Sequence, residues 1–198
     1  WKKLVRKSKN GKKEVNIAVV GKYFDSGDYV LSDVYISVLE ALKFSSYKLG
    51  VKVNLSYLDS KGFESGSQKV SVLSKYDGVL IPGGFGSTGI EGKIKAIQYV
   101  RENKIPYFGL CYGMQLMVIE FARNVAGLRN AHTAEINPDA NHVVRDIMPE
   151  QKKVMAEKKF GGTMRLGSYT AILKKGTIAR RSYGQMEIAE RHRHRFEV

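Results

Sequence analysis

Cys111 is the one cysteine in a chain of 198 residues, and it stands in Tyr107-Phe108-Gly109-Leu110-Cys111-Tyr112-Gly113-Met114-Gln115. A short apolar run ends there in Gly-x-Cys-x-Gly, and the amphipathic stretch Met114-Gln115-Leu116-Met117-Val118-Ile119-Glu120-Phe121-Ala122-Arg123 follows at once. A nucleophile is presented in this way. The glycines permit a tight, strained turn between strand and helix, and the positive end of the helix favours thiolate over thiol. A lone cysteine in such a protein also serves as a small buried hydrophobe. A second glycine cluster, Ile81-Pro82-Gly83-Gly84-Phe85-Gly86, follows an apolar strand at 77–81. Strand ends on one edge of a parallel sheet open on the same crevice, which would place these loop amides as oxyanion donors opposite Cys111. An ordinary Gly-rich strand-to-helix turn would have the same sequence.

The rest of the pattern supplies elements to hold these residues. Val15-Asn16-Ile17-Ala18-Val19-Val20 reads as a buried strand, 21–28 as a loop at its carboxyl end, and 32–49 as a helix with apolar residues at Val34, Val38, Leu39, Leu42 and Leu49. Residues 51–58 alternate like a strand, and 61–74 form a polar crossover. The strand at 77–81 precedes a helix at 91–102, the strand at Tyr107 and the helix after Cys111. Strands alternating with helices predict an α/β fold, Rossmann-like or flavodoxin-like, with a mostly parallel sheet and helices on both faces. The regularity stops near Gly127. Residues 137–159 carry Pro138 and Pro149 and read as a long loop with a short strand at Val143-Val144. Thr163-Met164-Arg165-Leu166-Gly167 and Tyr169-Thr170-Ala171-Ile172-Leu173 read as a small antiparallel insertion.

The chain is 43% hydrophobic and long enough to bury a full core as one domain. No apolar run approaches the ~20 residues of a membrane span, which argues against a membrane partner. The amino end lacks the apolar segment of a signal peptide, and a single unpaired cysteine fits a reducing, cytoplasmic setting. The net charge of +14 suggests a nucleic-acid binder, but half of it lies in residues 1–13, which hold seven Lys or Arg and no acid. That leader reads as a solvated, basic interdomain linker ahead of a domain at 14–198, and its start at Trp1 rather than Met points to a piece of a longer polypeptide. The remaining pairs, Lys152-Lys153, Lys158-Lys159, Lys174-Lys175 and Arg180-Arg181, lack the interleaved aromatics that stack on bases.

Taken together these residues resemble the glutamine amidotransferase domain of the CTP synthase family, a class I (triad-type) amidotransferase. The matching segments are Gly21-Lys22-Tyr23, Pro82-Gly83-Gly84-Phe85-Gly86, Glu91-Gly92-Lys93-Ile94, Cys111-Tyr112-Gly113-Met114-Gln115, Glu120-Phe121-Ala122-Arg123-Asn124, Met148-Pro149-Glu150, Gly161-Gly162-Thr163-Met164-Arg165-Leu166-Gly167 and Glu190-Arg191-His192-Arg193-His194-Arg195-Phe196-Glu197-Val198. The resemblance implies a domain that hydrolyses L-glutamine and passes ammonia to an amino-terminal synthase domain of the same polypeptide. There ATP phosphorylates UTP and ammonia displaces the phosphate to give CTP, a ligase reaction of pyrimidine biosynthesis. It implies no cofactor in this domain, ATP, UTP and Mg2+ in the synthase domain, GTP as an effector and a homotetramer at full length.

Carried over by position, Cys111 attacks the glutamine amide and becomes a γ-glutamyl thioester. The amides of Gly84 and Tyr112 hold the oxyanion, with Gly113 beside them. Gln115, Glu135 and Arg195 match glutamine-binding positions, Glu135 facing the α-ammonium and Arg195 the α-carboxylate. A zwitterionic amino acid needs one anion and one cation at fixed spacing to place its amide at the thiolate. Read without the resemblance, Glu135 is a solvated loop acid and Arg195 part of a nucleic-acid patch. His192 and His194 lack a carboxylate or Cys partner at ligand spacing, so packing and positioning suit them better than a metal.

Three departures from the family pattern stand out. The family's His-x-Glu, which activates the cysteine, lies downstream of Arg-His-Arg-His-Arg-Phe-Glu-Val, so the expectation is a nucleophile without its base and little turnover by this chain alone. His132, His142, His192 and His194 fall at other family positions. Thr88 stands where the family usually has Arg in the loop Gly86-Ser87-Thr88-Gly89-Ile90-Glu91 that is associated with GTP, whose other residues of interest are Gly89 and Glu91. Tyr112 replaces the elbow's usual Leu. Competing readings are a glutamine-binding or regulatory scaffold without turnover, and a basic nucleic-acid-binding domain. A hydroxyl cannot replace a guanidinium that contacts anionic or purine groups, so Thr88→Arg in the full-length polypeptide should tighten apparent GTP affinity by about 1.5–3 kcal/mol. GTP titration of glutamine-dependent CTP formation measures this, and an unchanged midpoint would detach the loop from the effector.

Overall fold

A computed structural model of the chain describes residues 1–9, 11, 13–22, 24, 35–157 and 164–198. These form two compact units, Trp1–Val144 and Arg145–Val198, where the sequence suggested one domain from 14 onward. Lys2–Lys9 of the leader is a helix, α1. In the first unit, β1 (Lys13–Gly21), β2 (Val51–Asp59), β3 (Gly78–Ile81) and β4 (Tyr107–Gly109) build one parallel sheet in the order β2-β1-β3-β4. The register aligns Val19 with both Tyr57 and Leu80, and Ile81 with Gly109. Ala18, Val19 and Val20 are wholly buried, as a continuous apolar run demands when helices cover both faces of a sheet.

Alternate residues feed two cores. Val19 and Leu80 pack with Phe24, Tyr35 and Leu39, the last on α2 (Ile36–Leu49). Ala18, Val20, Val79 and Ile81 pack on the other face with residues of α3 (Ser60–Ser65), α4 (Ile90–Glu102) and α5 (Tyr112–Asn124). Helix α4 turns Ile90, Ile94, Ile97 and Val100 inward, the spacing of a single helical stripe. The strand order reverses between β1 and β3, so the crevice expected of such a sheet opens at the carboxyl ends of those strands. Lys22, the Pro82–Gly86 loop and Cys111 all follow strand ends on that edge. Short strand β5 (Ala131–Thr133) completes this unit, and β6 (His142–Ile147) contains the point where it ends.

The second unit holds α6 (Pro149–Ala156), a hairpin of β7 (Arg165–Ile172) and β8 (Glu187–His194), the intervening α7 (Ile178–Tyr183), and β9 (Phe196–Glu197). Ile147 pairs with Phe196 and Asp146 with Glu197, antiparallel. This revises two sequence readings. The two short stretches at 163–173 are not partners of each other: β7 runs through Gly167 and Ser168 and pairs with β8 from Arg165 opposite His194 to Ile172 opposite Glu187. Within the long loop at 137–159, α6 forms because proline is well placed at a helix's first position, where its missing N–H is not needed. The polar crossover at 61–74 resolves into α3, capped by the Asp59 carboxylate accepting from the Lys61 N–H at 2.7 Å, and a 3-10 turn at Val70–Lys75. The family-like residues Tyr23 and 161–163, most of the loop at 21–28 and the helix start at 32–34 lie outside the described residues.

Helix α4 meets α3 backbone to backbone at Gly92, where an added Cβ would come within 1.8 Å of the Ser60 carbonyl oxygen. Gly92→Ala should therefore destabilise the chain by about 3 kcal/mol or more. Gly127→Ala, at a left-handed residue with φ +72° and open space around it, should lose only about 1–2 kcal/mol. Urea titration of both variants distinguishes them, and equal losses would mean that the two helices do not touch at Gly92.

Candidate active site

The elbow is built by backbone contacts. Cys111, the N-cap of α5, has φ +49° and ψ −104°, outside the favourable regions for a residue with a side chain, and its thiol is exposed. Hydrogen bonds hold this geometry on both sides. The Leu110 N–H donates to the Ile81 carbonyl at 3.0 Å, the Gly113 N–H to Leu110 at 2.9 Å, and the Gln115 N–H to Cys111 at 3.1 Å. The Tyr107 hydroxyl, kept protonated by burial, donates to the Gly113 carbonyl at 2.8 Å. The two glycines of Gly-x-Cys-x-Gly serve close packing. An added Cβ at Gly113 would lie 2.1 Å from the Ile81 oxygen, and one at Gly109 would lie 2.6 Å from the Gly113 carbonyl carbon.

The second glycine cluster lies against this elbow. A Cβ at Gly83 would stand 3.4 Å from the Cys111 Cβ and 3.9 Å from its Sγ, and one at Gly84 would stand 3.6 Å from the Tyr112 ring. Among the described residues three side chains pin the loop. Lys22 donates to the Phe85 carbonyl, with its Nζ 5.3 Å from the Phe85 ring centre. The Glu135 carboxylate accepts from the Gly86 N–H at 3.0 Å, and the Tyr112 hydroxyl donates to the Gly86 carbonyl at 3.1 Å. Glu135 sits in a turn ordered by Thr133, whose hydroxyl accepts from the Glu135 N–H at 3.2 Å. Downstream, Arg123 ties three elements together: it grips the Glu91 carboxylate at 2.9 and 3.0 Å and donates to the Ala131 carbonyl at 2.6 Å.

Cys111, Gly84, Tyr112, Gly113 and Glu135 thus gather around one loop and one helix terminus, and Gln115 is buried on the first turns of α5. Gly89 and Glu91 open α4, where their N–H groups donate to the Glu64 carboxylate at 3.1 and 3.2 Å, an anion at a helix N-terminus. Thr88 is exposed in the preceding turn. Arg195 belongs to the second unit, between β8 and β9, where its carbonyl accepts from the Met148 N–H at 3.2 Å. His192 and His194 lie in the same unit with ring nitrogens 2.8 Å apart. Sequence reading alone did not single out Glu64, Lys22 or Lys93 for these roles. Lys22 and Lys93 each follow a glycine in a quoted motif, but no spacing rule says which way their side chains turn.

Lys93 is the unusual one. It is 0% exposed, its Nζ stands 5.7 Å from the Tyr112 ring centre, and that Nζ has no hydrogen-bond partner among the described residues. Burial, and then repulsion from Lys22, push its pKa down from 10.5 to about 8 against a smaller pull from Asp59.

A reactive-type cysteine on a strained elbow facing a pinned glycine loop, set on a doubly wound sheet, defines a known class. The family described as glutamine amidotransferase class-I matches residues 30–198, and the chain belongs to it. Within that class its relatives are CTP synthases. The enzyme of Carboxydothermus hydrogenoformans is 52% identical over 197 residues, covering all of this chain and 35% of that protein. That of Sulfurisphaera tokodaii is 48% identical over 198 residues and 36% of its length. The solved glutaminase domain of Trypanosoma brucei CTP synthase with bound acivicin superposes with a TM-score of 0.81 at 38% identity, over 93% of this chain and 68% of that one. The chain spans about a third of the length of the curated relatives it matches.

The buried Lys93 ammonium makes stability depend on pH in a definite direction. Below pH 8 the side chain is charged in both the folded and unfolded states and its burial penalty is complete. Between about 8 and 10.5 the folded form loses its proton first, and stability rises with pH. Lys93→Met should accordingly be more stable than the parent at pH 7, by up to about 3 kcal/mol, with the gap closing toward pH 10.5. Paired denaturant titrations across that range measure the gap, and a constant difference would remove the charge from the explanation.

Proposed function

We propose that this chain hydrolyses the side-chain amide of L-glutamine through Cys111 to release ammonia. The observation that carries the reading is the exposed cysteine on a strained backbone at the head of α5, with Gly83 beside its side chain and Gly84 beside the ring of the next residue, Tyr112. In this reaction the Cys111 sulfur bonds to the amide carbon as the carbonyl electrons move onto oxygen. The amides of Gly84 and Tyr112 face that oxyanion, and the helix terminus adds its own positive end. The oxyanion collapses, the C–N bond breaks and the protonated nitrogen leaves as ammonia, which gives a γ-glutamyl thioester. Water then adds to the thioester, the C–S bond breaks and glutamate departs with the thiol restored.

Glu135, whose carboxylate accepts from the Gly86 N–H, is the acid for the substrate's α-ammonium, and Gln115 lies one helical turn from Cys111. The family resemblance gives the proton transfers to a His-x-Glu pair. On the same reading the ammonia serves the amination of UTP to CTP by a synthase domain in the same polypeptide, where ATP, UTP and Mg2+ act. That protein is cytoplasmic and tetrameric, and Thr88 in place of the family's usual arginine weakens the response of its effector loop to GTP. Among the described residues no helix is long and apolar enough to cross a membrane.

The reagent 6-diazo-5-oxo-norleucine tests the nucleophile. Protonation of its diazo carbon lets the thiolate displace N2 and form a C–S bond, while its ketone oxygen occupies the place of the amide oxygen. Mass spectrometry should find one adduct, on the peptide containing Cys111, that glutamine suppresses and Cys111→Ser abolishes. An adduct on another residue, or one that survives the substitution, would refute the assignment.

A further inference from the structure

We propose that the Tyr112 hydroxyl is a positioning group that ties the glycine loop to the nucleophile's own elbow, so that Gly84 keeps its place relative to Cys111 through substrate binding and release. The inference rests on Cys111 acting on glutamine as described above. Three of the four residues in Gly83-Gly84-Phe85-Gly86 have no side chain, and the fourth, Phe85, is 70% exposed. Nothing intrinsic to the loop fixes it. Its placement comes from the groups that reach it: Lys22 at the Phe85 carbonyl, Glu135 at the Gly86 N–H and Tyr112 at the Gly86 carbonyl.

These three anchors differ in what they connect. Lys22 follows β1 and Glu135 follows β5, so each ties the loop to an element away from the thiol. The Glu135 carboxylate is also the group assigned to the incoming ammonium, so its hold on Gly86 is shared with substrate. Tyr112 alone of the three is bonded covalently to Cys111. A shift of the loop away from the thiol stretches the 3.1 Å bond to Gly86 directly. The ring has no room to follow such a shift: Tyr112 is 1% exposed, one edge lies against Gly84 and the Lys93 ammonium stands over its face. The leucine usual at this elbow position has the bulk for this packing but no hydroxyl. The tether is thus a feature of this chain's own residue, and Lys93, buried with no hydrogen-bond acceptor among the described residues, acts by holding the ring that carries it.

Oxyanion donors act only if their spacing is kept as charge develops. Loss of the hydroxyl should therefore slow a reaction that uses the loop and spare one that needs only the thiolate. Tyr112→Phe removes one oxygen and Tyr112→Leu installs the usual residue. Both variants and the parent chain are treated with 6-diazo-5-oxo-norleucine, which places a ketone oxygen against the loop, and separately with iodoacetamide, which does not. Labelling of Cys111 is followed by mass spectrometry. The expected result is a five- to tenfold slower reaction of both variants with the diazoketone, about what one lost hydrogen bond gives, and iodoacetamide rates within twofold of the parent. An unchanged ratio of the two rates in Tyr112→Phe overturns the proposal, whether neither rate moves or both fall together, since the latter is general disturbance of the elbow. If the parent itself takes no diazoketone at Cys111, the glutaminase reading fails and this inference with it. A parent that labels as fast as Tyr112→Phe defeats the tether alone.

Discussion

The first turn of α5 lies so close to the end of β3 that a methyl group at position 113 would come within 2.1 Å of the Ile81 carbonyl oxygen. This backbone-to-backbone contact decides where everything else in the site can be. It brings the helix terminus to the sheet edge, forces the chain at Cys111 into a left-handed turn that residues with side chains avoid, and leaves the thiol pointing out of the fold. Strain of this kind, about 1–3 kcal/mol, persists only where neighbours over-determine it. Here the bonds from Leu110 to Ile81, from Gly113 to Leu110 and from Tyr107 to Gly113 do so.

Helices α4 and α5 each carry a charged side chain into the interior. Glu120 is wholly buried and is gripped by Arg101 through Nε and a terminal nitrogen at 2.8–3.1 Å, with Asn124 adding a third donor at 3.0 Å. Such a carboxylate is satisfied, and breaking one partner would leave a buried charge exposed to its full penalty. Lys93 is the opposite case, a buried cation set against an aromatic face, with no hydrogen-bond partner for its Nζ among the described residues. Its burial lowers stability at neutral pH, and its immediate neighbours are Gly84 and the Tyr112 ring.

Much of this was legible from residue order, and the failures are informative. The strand at 15–20, the helix at 91–102 and the elbow were readable because a short apolar run bounded by turn residues, a 3.6-residue stripe and a Gly-x-Cys-x-Gly junction are all local signals. The helix at Pro149 and the full length of β7 have no clear local signal: proline begins a helix without loss, and Gly167, at φ +107°, continues β7 beside β8. Cross-strand pairing over twenty residues leaves no local signal, so the true partner of 165–172 could not be picked out before folding.

The sequence by itself determined the chemistry at hand: one thiol between two glycines, a glycine loop after an apolar strand, an acid at 135, and a doubly wound order of elements to set them on one edge. Those depend on residue type and on periods of two and 3.6, which are local properties of the chain. Tertiary structure alone decided which groups meet. Glu135 reaches the Gly86 N–H across 49 positions, Lys22 reaches the Phe85 carbonyl across 63, and Glu64 caps a helix that begins 26 residues later. It also turned Tyr112 from a bulky substitute into a hydrogen-bond donor, because the direction of a side chain and the partner at its end are set by packing, and packing joins residues without regard to their separation along the chain.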